Sequence, residues 1–200
     1  MFTRWTGIVT ERRTTGHKDI FDVDLDSGVE RRLTELEFIL VTRPYFFPDS
    51  KRFVLTIEST EYPEHLVFLF DGKFVGSKDD LVPYFEYARY AAQPVLSRDG
   101  SVMLFTARTN EMDGDDSGIY KWDLFAKQGE TITRLTQMKS SISDHILSFD
   151  GKQVIFKSAI GWGEGFRIPR SAHDYDMWIM NTDGTGHRKL SPPTQLPEPE

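Results

Sequence analysis

The residues best equipped for chemistry lie in 160–176, IGWGEGFRIPRSAHDYD. Trp162, Arg167, Arg170, His173 and Asp174 fall together there, with three glycines nearby. A guanidinium offers planar paired donors, and an indole offers a flat apolar face. Together they suit an anionic, sugar or peptide ligand. These five residues form the candidate ligand-binding set. His173 and Asp174 have the types of a base and its orienting carboxylate. Sequence neighbours rarely reach that geometry, and no nucleophile accompanies them, so no catalytic residue is assigned. The competing reading is a long loop folded against its own edge, with both arginines paired to acidic neighbours.

Other candidate groups are weaker. The loop 110–118, NEMDGDDSG, gathers Asp113, Asp115 and Asp116. Acidic oxygens suit Ca²⁺, but the distal bidentate Glu of an EF-hand is absent, and such a loop equally serves to solvate a long connection. Asp49, Asp99 and Asp150 recur 50 and 51 positions apart, which assigns them to repeated turns whose backbone N–H groups they cap. His145 and His187 occupy repeat positions as surface or packing residues; His17 and His65 are isolated. Histidines without shared spacing make no zinc site. The G-x-S-x-G elbow, a phosphate-cradling glycine loop and a dinucleotide fingerprint are all missing. No metal and no cofactor are expected.

The composition narrows the classes further. Hydrophobic residues make up 38% and aromatic residues 13%, enough for a folded core. Against 24 Lys and Arg stand 31 Asp and Glu, a net charge of −7, which disfavours nucleic acid and anionic lipid as partners. The absence of cysteine removes disulfides, thiolate metal sites and cysteine nucleophiles. The N-terminus lacks the apolar core of a signal peptide, and no window is long enough to span a membrane.

The elements that must position these residues are strands. Residues 147–191 read as hairpin, long insertion, hairpin: a β-run at 153–156, a second at 177–180, and turns at Asp150-Gly151 and Asp183-Gly184. The rest of the chain repeats this unit. DIFDVDLDSGVERRLT (19–34) lies over DMWIMNTDGTGHRKLS (176–191), and PYFFPDSKRFVLTI (44–57) and PVLSRDGSVMLFTA (94–107) copy the first half. The closing leucines Leu33, Leu135 and Leu190 follow the same period. Residues 58–93 are irregular, and their aromatic run Tyr84 to Tyr90 is read as packing between units or a plug. A period of 40–50 residues with two hairpins per copy is the sequence form of a propeller blade. A lone blade cannot cover both its faces, so blades stack.

The residues also resemble a known family. PVLSRDGSVMLF, LSFDGKQVIF, GIYKWDL and DMWIMNTDGTGHRKLS are similar to the TolB-like, WD-repeat-like β-propeller repeats. The resemblance implies an all-β protein of four-stranded antiparallel blades, about four in this chain, as part of a larger propeller. A single domain would cover 1–191, with blades near 1–36, 43–82, 93–137 and 144–191, and a Pro/Glu-rich tail at 192–200. It implies a non-enzymatic adaptor that presents loops to a protein or peptide partner. The alternative is the propeller portion of a prolyl-oligopeptidase-like hydrolase or an oligouronide lyase. A complete chain would be cytoplasmic, and a fragment of a TolB-like protein periplasmic or exported. Ligand identity and oligomeric state are not legible.

Overall fold

A computed structural model of the protein describes residues 10–14, 17–35, 40–42, 44–49, 51–58, 66–77, 80–81, 83–85, 87, 90–110, 113–114, 121–138, 140–159 and 175–190, with 10–18 and 40–41 described as backbone only. All regular elements among them are β-strands. They form four antiparallel sheets taken in chain order. The first holds β1 (Thr10–Thr14), β2 (His17–Val23) and β3 (Glu30–Arg32). The second holds β4 (Leu40–Val41), β5 (Tyr45–Phe46), β6 (Phe53–Glu58) and β7 (Leu66–Phe70). The third holds β8 (Ala91–Leu96), β9 (Val102–Arg108), β10 (Trp122–Gln128) and β11 (Thr131–Arg134). The fourth holds β12 (Ile142–Leu147), β13 (Gln153–Ala159), β14 (Tyr175–Asn181) and β15 (Arg188–Lys189).

The turn aspartates make these hairpins. One carboxylate oxygen of Asp49 accepts from the N–H of Lys51 and of Arg52, each at 2.9 Å. Asp99 accepts from the Ser101 N–H at 3.0 Å and Asp150 from the Lys152 N–H at 3.1 Å. Burial alone would raise the Asp49 carboxyl, but the Arg52 and Lys51 donors outweigh it and hold its pKa at about 2. The Ser97 hydroxyl and the Ser101 N–H hold Asp99 at about 2 as well. The recurrent aspartates are therefore turn caps.

Strand alternation sends neighbouring side chains to opposite faces, and each sheet uses both faces to pack. Phe53, Leu55 and Ile57 of β6 join Ile20 and Leu33 of the first sheet in one core. Val54 and Val67, on the other face of the second sheet, join Met103, Phe105 and Phe125 of the third. Leu104, Leu124 and Ala126 then join Val154, Phe156 and Met180 of the fourth. Three cores thus lie between sheets rather than within one. The aromatic connector is packing: Phe85 lies 4.7 Å and Tyr87 6.3 Å, ring to ring, from Phe105.

A polar clasp closes two of the sheets in the same way. In the third, the buried Asp123 accepts from Arg134 at 2.5 Å and from the Thr136 hydroxyl at 2.8 Å. The Thr136 hydroxyl oxygen in turn accepts from the Leu124 N–H at 2.9 Å. In the first, Asp19 accepts from Arg32 at 2.6 Å and from Thr34 at 3.1 Å, and Thr34 accepts from the Ile20 N–H at 2.9 Å. Asp123 thus holds in the third sheet the place that Asp19 holds in the first, a buried carboxylate kept by an arginine and a hydroxyl.

Two sheets depart from the four-strand expectation. The first has three strands among the described residues. In the second, Lys73–Gly76 lacks an Arg-Leu-Thr close and does not return to β7. Instead the Val75 N–H donates to Leu33 O at 2.8 Å, extending the first sheet's edge.

Candidate functional site

The first strands of the second, third and fourth sheets stand side by side, β8 touching both β5 and β12. Each carries one extra residue relative to the strand it pairs with. Between Ala92 and Val95 the register of β8 slips against β9, and between Ser143 and Ile146 that of β12 slips against β13. In the second sheet the same slip separates β4 from β5: Val41 faces Ile57, and Tyr45 faces Val54. Such bulges bend an edge strand and re-aim side chains. Gln93 (φ 55°) and Asp144 (φ 45°), at equivalent positions, are the described non-glycine residues with positive φ. A left-handed backbone without glycine costs on the order of 1 kcal/mol and persists where the surroundings enforce it.

Around these bulges lies a cavity of about 380 Å³. Thr42 and Tyr45 line it from the second sheet, Gln93 and Val95 from the third, and Asp144, His145 and Ile146 from the fourth. The position after the bulge is Pro44 in the second sheet and Pro94 in the third. Proline suits it, because the slip leaves no ladder bond for an N–H to make. In the fourth sheet that position is His145.

His145 is 5% exposed, and neither ring nitrogen has a hydrogen-bond partner among the described residues. Burial drives its pKa down to about 4, against a small opposing pull from the nearby backbone of Leu104 and Gln93. The ring is therefore neutral at pH 7, with both nitrogens buried beside the backbone of Leu104 and Gln93. Asp144 is exposed and takes an ion pair from Lys157 at 2.9 Å. The Lys157 amine also stands 5.7 Å from the Tyr175 ring centroid. Tyr175 opens β14, opposite Ala159, where the 160–174 segment begins and ends. The cavity and the base of that insertion are thus joined through Asp144, Lys157 and Tyr175.

The candidate set Trp162, Arg167, Arg170, His173 and Asp174 lies outside the described residues. Asp176 beside it pairs with Lys189 at 2.7 Å. Of the acidic loop, Asp113 is held by Arg134 through two bonds of 2.6 and 2.8 Å, so that carboxylate already has a cation. Asp115 and Asp116 lie outside the described residues. Among the described residues no group of three His, Cys, Asp or Glu is placed to hold a metal. Sequence reasoning missed the cavity and treated His145 as a surface or packing residue. Its signal was the break in a repeat: Pro44, Pro94, then His.

The sheets with their inter-sheet cores define the class: the chain is a partial β-propeller. No family model matches the sequence, and no curated protein matches it. Solved structures do match. The chain is similar to a structure described as a TolB of Agrobacterium tumefaciens, with 18% identity and a TM-score of 0.65, over 92% of this chain and 59% of that one. It is similar to TolB of Acinetobacter baumannii, with 19% identity and a TM-score of 0.61, over 89% of this chain and 38% of that one. It is similar to an oligogalacturonate lyase in complex with manganese, with 14% identity and a TM-score of 0.60, over 92% and 49%. The chain therefore spans less than two thirds of the length of each.

Proposed function

We propose that this chain belongs to the TolB-like repeats and acts as a binding propeller for a protein or peptide, received at the bulged inner strands. The observation that carries this is the cavity itself. Three sheets contribute equivalent bulges to it, and the one that breaks the proline pattern contributes a buried imidazole with no internal partner. A buried polar group left unpaired costs about 1–3 kcal/mol unless a ligand group satisfies it. The backbone N–H and C=O groups of an extended peptide are suited to that role, and the edge strands β8 and β12 offer backbone pairing beside it. Trp162, Arg167, Arg170, His173 and Asp174 are proposed as further ligand-binding residues on their types alone, guanidinium donors and an indole face suiting a peptide. The similarity to TolB structures supports an adaptor. The similarity to an oligogalacturonate lyase supports the alternative of an enzyme's propeller portion.

Selection from a displayed peptide library tests the reading. Expected is an enriched peptide family whose affinity falls about tenfold or more in His145→Pro, and again in the Arg167→Ala/Arg170→Ala pair. Absence of any enriched peptide overturns it. Turnover of oligogalacturonate that is lost in His173→Ala selects the lyase reading instead.

A further inference from the structure

We propose that Gln93 and Asp144 are the specificity-determining residues of the cavity, and that they read a side chain of the bound peptide that carries N–H donors: an amide, an ammonium or a guanidinium. This rests on the peptide reading of the cavity and names what the peptide must present. The backbone motivates it. Eight described positions with positive φ are glycines, among them Gly72, Gly100, Gly151 and Gly184. Glycine is what a left-handed backbone selects when the side chain has no task, because it has no Cβ to clash. Gln93 (φ 55°) and Asp144 (φ 45°) are the described exceptions. Each is the first residue of a bulge in which two residues oppose one, and a left-handed residue there is ordinarily glycine. The chain keeps a side chain at both equivalent positions, and both residues line the cavity. Aspartate tolerates this conformation better than glutamine, so Gln93 is the sharper exception.

Neither side chain is needed to hold its bulge. The Gln93 N–H donates to the Thr56 hydroxyl oxygen at 3.0 Å, and a glycine would keep that bond. The Gln93 side-chain amide makes no hydrogen bond among the described residues. Asp144 accepts from the Lys157 amine through Oδ2 at 2.9 Å, in a pair exposed on both sides. Such a pair contributes little to stability. The other carboxylate oxygen, Oδ1, accepts no bond among the described residues. Backbone strain that no internal contact of the side chain repays is characteristic of positions that meet a ligand.

The ligand chemistry follows from what the two side chains offer. The His145 ring follows Asp144 and is buried beside the Gln93 backbone, so the two bulges adjoin. Asp144 is the one charged residue in the described lining. A carboxylate takes donors only, and the Gln93 amide oxygen adds a second acceptor, with its NH2 able to donate in turn. An acidic ligand group would face Asp144 without a partner. Val95 and Ile146, also in the lining, supply apolar surface for the stem of a donor-bearing side chain.

Peptides selected by display on the full chain, titrated against wild type, Gln93→Gly and Asp144→Gly, test this, with each chain also unfolded in denaturant. Expected are peptides that share an Asn, Gln, Lys or Arg. Their affinity falls about tenfold in each variant, while the denaturation midpoint stays level or rises because glycine relieves the backbone. Replacing the shared peptide residue by Ala should cost about tenfold on the wild type and less than about twofold on the Gln93→Gly/Asp144→Gly double variant. Asp144→Asn separates the donors: a loss of about tenfold marks an ammonium or guanidinium, and an unchanged affinity marks an amide. Selected peptides that bind both glycine variants as tightly as wild type overturn this assignment and leave the peptide reading standing. A midpoint lowered in Gln93→Gly also overturns it, since the side chain would then be structural. A wild-type chain that enriches no peptide overturns the peptide reading and this assignment with it.

Discussion

The third and fourth sheets are built on one plan and meet different surroundings. Both begin with a bulged strand, turn at a capped aspartate and close through an acidic residue paired with a basic one. In the third, the Asp123 clasp is buried, Leu124 is sealed, and the bulge carries Pro94. In the fourth, Asp176 pairs with Lys189, whose side chain is half exposed, Met177 is open, and the bulge carries His145. An interior sheet is held by what lies on both sides of it. In the fourth sheet Met177 and Ile146 stay exposed where their counterparts in the third are buried, and there the pattern relaxes.

Mutations at matched positions sharpen this contrast. The largest effect is expected at the clasp. Asp123→Ala removes the buried acceptor of Arg134, the Thr136 hydroxyl and the Met138 N–H, leaving Arg134 with Asp113 as its carboxylate, and should cost about 3–5 kcal/mol, whereas Asp176→Ala should cost less than about 1 kcal/mol, measured by chemical denaturation. Next comes packing. Leu124→Ala leaves a cavity between sheets and should cost about 2–5 kcal/mol, and the more exposed Met177→Ala clearly less.

The pH dependence separates the two bulges. The native pKa of His145 is depressed to about 4 from its ordinary 6.5, so the unfolded chain binds the extra proton first. Its contribution is fully present above pH 6.5 and is lost as pH falls towards 4, up to roughly 3 kcal/mol. His145→Pro should flatten the stability–pH curve across that window. A curve unchanged by the substitution would show that the imidazole is not buried in the neutral form. The smallest effect is expected at Lys157→Met. It removes an exposed pair with Asp144 and should change stability by no more than about 0.5 kcal/mol.

Much of the fold was legible because turns are local chemistry. An aspartate that caps its own hairpin does so wherever the chain lies, so Asp49, Asp99 and Asp150 announced the repeat and its period. The clasp was half legible. Arg-Leu-Thr stood out in the chain, but its partner Asp123 is eleven residues from Arg134, and nothing in the spacing marked that carboxylate as buried. The irregular second sheet was legible as an irregularity. That Val75 would join the first sheet was not, since that bond depends on which edge lies nearby.

The sequence by itself determined the all-β class, the repeated hairpins, and the parity that gives each sheet two apolar faces, because these follow from turn chemistry and the two-residue period of a strand. Only the tertiary structure decided where the polar exceptions matter. A histidine in a proline's place reads as a minor lapse in a repeat. It becomes a candidate site once three bulged strands converge and bury it without a partner, and burial and convergence are properties of the packed chain.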